Sequence, residues 1–229
     1  MNSDNVKIRS QSARNSILEK LNQAQVTPMV KEALEYQPWG HVEPPTQVEK
    51  TDRFIACMEA NHTEIKRILK SELDVTIQAI VADKAFKTAA IGTAGEYHQS
   101  FVRGLDKLET TLFDKAIEEW KTELFENVDV GVTHVLAGIA DTGALVLWPS
   151  IEEPRTLSLV PPCHVAVIEE SMIMSNFSEV MATQNWTNSI PTNALLISGP
   201  SKTADIQQTL AYGAHGPSEL VVLIIKDVL

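Results

Sequence analysis

Cysteine is scarce in this sequence. Cys57 and Cys163 are the two cysteines among 229 residues and stand far apart, so no disulfide framework and no thiolate cluster is predicted. An iron–sulfur cluster usually takes four thiolates, and we predict no cofactor bound by this chain alone. Cys163 and His164 are neighbours, which point to opposite faces of a strand, so we predict no metal site either.

Basic residues are also fewer than acidic ones. The sequence has 19 Lys and Arg against 30 Asp and Glu, which gives a formal net charge of −11. A field of this sign repels the phosphate backbone of nucleic acids and anionic membrane surfaces. No apolar run approaches the length of a membrane span, and the first residues are polar. We therefore expect a cytoplasmic protein with no nucleic-acid partner and no membrane insertion.

Three well-known catalytic motifs are missing. The sequence has no Gly-x-Ser-x-Gly nucleophile elbow and no Gly-x-Gly-x-x-Gly dinucleotide fingerprint. Lys202 is not preceded by glycine, so its loop is not a Walker A loop. The absence of these three motifs leaves open whether the chain is an enzyme.

The patterns that are present alternate between helix and strand. Nearly continuous apolar runs at Gly131–Leu136, His164–Ile168 and Leu220–Ile225 are typical of strands that are buried on both faces. Helical spacing predicts one long helix over Val48–Leu69, and we expect a strand at Leu157–Val160. The alternation predicts an α/β domain with a mostly parallel sheet covered on both sides.

The first 47 residues differ from the rest. Ala13, Ile17 and Leu21 share one helical face, and Gln37–Thr46 contains three prolines. We predict an N-terminal helical extension and Pro-rich linker at 1–47, followed by the α/β domain at 48–229. The extension is expected to pack on its own chain or on a second copy in a homodimer, since exposed apolar stripes are costly.

The stretch Asn193–Leu210 carries the clearest binding pattern. Ala194–Ile197 is predicted to be a strand, and Ser198–Lys202 a tight loop that leads into a helix. A helix N-terminus offers unpaired N–H groups to an anion, Gly199 permits close approach, and Lys202 adds charge. Ser201, Thr203 and Asp205 would lie in or near the first turn of this helix. An ordinary turn between strand and helix explains the same pattern equally well.

Three further segments supply candidate side chains. The turn Asp141, Thr142, Gly143 offers a carboxylate for catalysis, although a turn aspartate often bonds only its own backbone. Arg155, with Ser158 after it, offers a fork for a carboxylate or phosphate. His215 fits either a ligand contact or a turn. If these segments meet at one rim of the sheet, they bind a small anionic organic acid or a phosphorylated compound.

Two blocks of sequence resemble one family. Ser198-Gly-Pro-Ser-Lys-Thr-Ala-Asp-Ile206 followed by Gly213-Ala-His-Gly-Pro217 is similar to the closing signature of the lactate utilisation protein C family, whose members contain a LUD domain. Gly138-Ile-Ala-Asp-Thr-Gly143 followed by Arg155–Pro161 resembles its middle signature. The resemblance runs from about Val130 to the end. It implies a three-layer α/β fold of the ribose-phosphate isomerase and coenzyme A transferase type.

The same resemblance implies a function. It indicates a subunit of the system that oxidises L-lactate to pyruvate together with separate iron–sulfur proteins, and the shortage of cysteine fits that role. The alternative is an independent enzyme of isomerase or CoA-transferase type, with Asp141 as the catalytic group, which depends on fold-level analogy.

Overall fold

A computed structural model of the chain describes residues 3–23, 38–114, 117–186, 188, 191–204, 210–213 and 215–226. The chain divides into two compact units, Met1–Gln37 and Pro38–Leu229. The predicted helix near the N-terminus is present as α1, Ser3–Gln23. The boundary expected after residue 47 stays a prediction. Within the described residues, every helix is too short or too polar to cross a membrane.

The second unit alternates helices and strands. Its described helices are α2 (Gln47–Ala60), α3 (Leu73–Asp83), α4 (His98–Gly104), α5 (Ile117–Glu126), α6 (Thr156–Leu159) and α7 (Phe177–Thr183). The described strands are β1 (Glu64–Ile68), β2 (Thr88–Ile91), β3 (Glu109–Leu112), β4 (Val130–His134), β5 (Ala137–Ile139), β6 (Ala144–Leu147), β7 (Cys163–Glu169), β8 (Ile173–Met174), β9 (Leu195–Ile197), β10 (Lys202–Ala204), β11 (Leu210–Tyr212) and β12 (Glu219–Ile225).

The main sheet is parallel. Among the described residues its order is β1, β12, β7, β4, β2, β3, and each neighbouring pair runs in the same direction. One face packs on α3 and α4 through a core that includes Leu73, Ile77 and Phe101. The apolar central strands were the signal that predicted this layer, because strands covered on both faces lose the polar alternation of a half-exposed sheet.

A smaller mixed sheet covers the opposite face. Its order in the described residues is β8, β5, β6, β9, and β6 runs antiparallel to both β5 and β9. This sheet and α2 enclose a second core around Phe54, Met58 and Leu145. With α3 and α4 on one side and the small sheet and α2 on the other, the fold has three layers, as predicted.

The long helix predicted for Val48–Leu69 is wrong in its second half. α2 begins at a capping box, in which the Thr46 hydroxyl accepts from the Glu49 amide and the Glu49 carboxylate accepts from the Thr46 amide. The helix ends at Ala60, because His62 has a positive φ of 65° that no helix tolerates. Glu64–Ile68 then pairs with β12 as an edge strand. Helical spacing alone did not reveal this break.

The strand predicted for Leu157–Val160 is instead α6. Pro154 precedes it, and its carbonyl accepts the Leu157 amide, while the Arg155 carbonyl accepts both the amide and the hydroxyl of Ser158. These bonds close a helical turn directly after Pro154, and this local geometry outweighs the apolar composition of a four-residue segment.

Candidate functional site

A cavity of about 240 Å³ lies between the main sheet and the small sheet, beside the first residues of β7 and β12. It collects four of the residues predicted from sequence: Ser158, Gly199, Ser201 and His215. The other described lining residues are Leu159, His164, Leu196, Ile197, Ser198, Pro200, Gly216, Pro217 and Leu220. We call this space the signature cavity, because the closing signature forms much of its wall.

His164 is a fully buried polar side chain on the wall of this cavity. Its side chain is 0% exposed, and its Nε2 lies 2.8 Å from the hydroxyl oxygen of Thr133 on β4. Its Nδ1 is buried without a hydrogen-bond partner among the described residues. Burial lowers the pKa of this imidazole to about 3, so the ring is uncharged at neutral pH. A buried polar atom without a partner is costly, which makes this position a natural contact for a ligand.

Helix α6 positions Ser158 against the same cavity. The helix packs directly on β4 at Gly131, where an added Cβ would lie 2.1 Å from the carbonyl oxygen of Leu157. Glycine is therefore required at this point of the sheet, because any side chain would push the helix away. Ser158 is buried, and its hydroxyl donates to the carbonyl of Arg155 at 3.0 Å.

The helix predicted after the glycine loop is not present in its described residues, 202–204 and 210. Lys202–Ala204 forms β10, which pairs antiparallel with Leu210–Tyr212, and the residues between them lie outside the described part of the chain. The amide of Ser201 donates to the carbonyl of Pro217 at 2.7 Å, and the Ser201 carbonyl accepts from Gly213 at 2.9 Å. These bonds fold the segment back on itself. The free amides of a helix N-terminus, on which the predicted anion cradle depended, are thus absent from Ser201–Ala204.

Gly199 does bring the loop backbone into close contact with another group, as expected, but that group is the end of helix α2 and not a ligand. Gly199 has a φ of 145°, and an added Cβ would lie 3.0 Å from Cβ of Asn61 at the end of α2. The Lys202 ammonium donates to the Asn61 side-chain oxygen at 3.0 Å. Lys202 is therefore directed to α2, and it is not one of the described residues that line the signature cavity.

The Asp141 turn lies at a different place along α2. Gly143, with a φ of 60°, would bring a Cβ within 2.4 Å of the Cβ of Cys57. The Asp141 carboxylate lies 3.3 Å from the guanidinium of Arg53 and is mostly buried. Thr142 lies between Asp141 and Gly143 in the turn that joins β5 to β6. The β6–β9 pairing brings this turn and the Gly199 loop to the same end of the small sheet.

Arg155 lies beyond the other end of β6. Its segment follows Trp148 and Pro149, so the four residues of β6, about 13 Å of extended chain, separate it from the Asp141 turn. Its side chain is exposed and borders a narrow crevice with Thr133 and Ser158. The structure therefore brings Ser158, Gly199, Ser201 and His215 together, and it does not bring Asp141 to Arg155.

The positions of three predicted residues complete the comparison. His215 is exposed at the edge of the signature cavity. Thr203 lies within β10, and nothing further is described of its side chain. Asp205 lies outside the described residues.

A second cleft, of about 430 Å³, opens at the carboxyl ends of β2, β4 and β7. The His134 ring donates from Nδ1 to Glu153 at 2.7 Å and accepts the amide of Tyr97 at Nε2, 2.9 Å away. The Tyr97 hydroxyl donates to Glu169, and burial together with that carboxylate raises the pKa of Tyr97. Glu96 also lines the cleft, so its charge disfavours an anionic ligand.

Sequence reasoning missed the central residues of both cavities. His164 was available as a signal, because a histidine inside the apolar run Cys163–Ile168 must be either paired or functional when that strand is buried. His134, Tyr97 and Glu153 gave no such signal, since they come from three separate segments that only the strand order brings together.

The sequence of this chain matches a protein family and several known proteins. The LUD domain family matches residues 51–225. The chain is 42% identical to an uncharacterized protein of Neisseria meningitidis serogroup B, over 93% of this chain and 94% of that protein. It is 24% identical to the lactate utilization protein C of Halalkalibacterium halodurans, over 96% of this chain and 98% of that protein. It is 25% identical to lactate utilization protein C 1 of Bacillus mycoides, over 91% and 93%.

The fold has a counterpart among solved structures. A crystal structure of a DUF162 family protein from Deinococcus radiodurans superposes with a TM-score of 0.59, at 20% identity, over 80% of this chain and 99% of that chain. This similarity supports the three-layer α/β architecture. Because the domain match spans most of the chain, the prediction drawn from the two signature blocks is confirmed, and the protein belongs to the LUD-domain family.

Proposed function

We propose that this protein is the cluster-free subunit of a lactate utilisation system, and that it supports oxidation of L-lactate to pyruvate together with iron–sulfur partner proteins. Two relatives named lactate utilization protein C match over nearly their whole length, which supports the role in lactate utilisation. The shortage of cysteine supports the division of labour, since two thiols cannot bind a cluster that usually takes four.

The proposal assigns a small anionic ligand to the signature cavity. The observation that carries this assignment is the buried His164, whose Nδ1 has no partner among the described residues while its ring lines the cavity. A volume of about 240 Å³ suits a small organic acid and is below the usual range of pockets for drug-sized ligands. Ser158 and Ser201 line the same cavity.

A reconstitution tests the role in lactate oxidation. L-lactate oxidation with an artificial electron acceptor would be measured for this protein alone, for its iron–sulfur partners alone, and for the mixture. The proposal predicts that only the mixture is fully active, and that Ser201→Leu, which fills the cavity, lowers the activity of the mixture at least about tenfold. His41→Gln, a change at an exposed histidine away from the cavity, is the matched control and should keep full activity.

Two results would count against this role. Full lactate oxidation by this chain alone would remove the need for partners. Turnover of a sugar phosphate or an acyl-CoA by this chain alone would favour an independent isomerase or transferase.

A further inference from the structure

We propose that the signature cavity recognises a small monocarboxylate by donating the Nδ1–H of His164 to one of its oxygens, and that it selects against phosphates. This inference rests on the proposed function, because it specifies the ligand of the same cavity. It is carried by the hydrogen bond of the imidazole, the partnerless ring nitrogen and the absence of cationic residues from the described wall.

The tautomer of His164 follows from Thr133. Among the described residues, the hydroxyl of Thr133 has the His164 ring as its one hydrogen-bond partner, at 2.8 Å. Thr133 is 1% exposed, and donation of its hydroxyl proton to Nε2 leaves fewer buried polar groups unpaired than the reverse arrangement would. In a neutral imidazole, the nitrogen that accepts leaves the proton on the other nitrogen. Nδ1 therefore carries a hydrogen.

That hydrogen needs an acceptor. Nδ1 is buried and has no partner among the described residues, and His164 lines the cavity. Because Nδ1 is buried, the ring or the cavity wall must shift slightly for a ligand atom to reach it. A carbonyl or carboxylate oxygen would then satisfy the hydrogen, whereas an ammonium group or another donor would not. A buried donor left without a partner costs free energy, so a ligand that supplies the acceptor recovers this cost on binding.

The charge of the cavity limits the charge of the ligand. No Lys or Arg is among the described residues that line it, and Lys202 is directed to Asn61. The ring of His164 is itself uncharged. Moving a doubly charged phosphate from water into a cavity that offers only neutral donors costs much more desolvation free energy than moving a singly charged carboxylate. The formal net charge of −11 adds a long-range repulsion that grows with the charge of the ligand.

Isothermal titration calorimetry with sodium pyruvate, sodium L-lactate and inorganic phosphate tests the inference. We expect pyruvate or L-lactate to bind at least about tenfold more tightly than phosphate. Thr133→Val keeps the shape of the side chain but no longer fixes the tautomer, and it should weaken carboxylate binding about fivefold, the value of one hydrogen bond. His164→Leu should abolish binding, and His41→Gln is the control that should bind normally.

The outcomes separate the inference from the role in lactate oxidation. Phosphate binding that is as tight as carboxylate binding and is lost in Lys202→Ala would overturn it. Unchanged carboxylate affinity in a Thr133→Val protein with a wild-type melting curve would also overturn it. Carboxylate binding that follows the predicted pattern, in a protein whose reconstitution fails, would support the inference and refute only the role in lactate oxidation.

Discussion

His164 is the residue whose environment has the clearest consequence for stability. The unfolded chain protonates this imidazole below a pH of about 6.5, whereas the folded protein does so only near a pKa of about 3. Unfolding therefore takes up a proton between these values, and the stability that His164 contributes is lost as the pH falls below 6.5.

The corresponding prediction compares the wild type with His164→Leu. From pH 6.5 downward, the free energy of unfolding of the wild type should fall relative to the variant by up to about 1.4 kcal/mol per pH unit. Urea unfolding at pH 7.5, 6.5, 5.5 and 4.5 measures this, and the other histidines cancel in the difference. A constant difference across the series would show that His164 is not held uncharged.

Burial also disfavours the charged form of the Cys163 thiol. It is 1% exposed, and burial raises its pKa to about 12, with the charge of Glu219 acting in the same direction. At pH 8 its reactive thiolate is therefore rare. The Cys57→Ser protein, which retains only Cys163, should react with a disulfide reagent at least about a hundredfold more slowly than Cys163→Ser. Equal rates in folded samples would contradict the burial of Cys163.

The position of helix α6 against β4 depends on one residue, Gly131. Gly131→Ala would place a Cβ 2.1 Å from the carbonyl oxygen of Leu157, so α6 must move. We expect a loss of about 1–3 kcal/mol in the free energy of unfolding, together with weaker ligand binding, because Ser158 moves with the helix. Gly216→Ala is the control for stability only, because Gly216 lines the signature cavity. Its Cβ would lie 3.3 Å from that of Ser201, and the change should cost less free energy of unfolding than Gly131→Ala.

The helix-capping interaction of α2 is a second test at this scale. Thr46→Ala removes the hydroxyl that accepts the Glu49 amide and should cost about 1 kcal/mol. Thr93→Ala, at an exposed threonine that caps no helix, should cost less than half as much. Similar losses in the two variants, measured by thermal unfolding, would show that the capping box does not stabilise the folded protein.

Elements were predictable where one local pattern dominates. The apolar runs of β4, β7 and β12 were recognised because strands buried on both faces carry little else. One mispredicted segment depends on distant partners. The chain at Lys202–Ala204 pairs with Leu210–Tyr212, and the adjacent Ser201 bonds Pro217 and Gly213; none of these bonds is visible in the spacing of apolar residues.

At the scale of the whole molecule, the two cavities have opposite character. The cleft at the carboxyl ends of the strands carries Glu96, Glu153 and Glu169. The signature cavity offers hydroxyls and an uncharged imidazole. The sequence predicted the α/β class and four of the residues around the signature cavity. It could not predict that β9 belongs to the small mixed sheet, and so it expected the loop after β9 at the rim of the parallel sheet.

One measurement tests the central claim most directly. A long-range proton–nitrogen NMR spectrum of the histidine-labelled protein would be recorded between pH 5 and 8, with and without pyruvate. We predict that the His164 imidazole does not titrate, that its hydrogen is on Nδ1 while the unprotonated Nε2 accepts from Thr133, and that its Nδ1 resonance moves when pyruvate is added. A His164 ring that carries its hydrogen on Nε2, or whose signals stay unchanged in saturating pyruvate, would contradict the account.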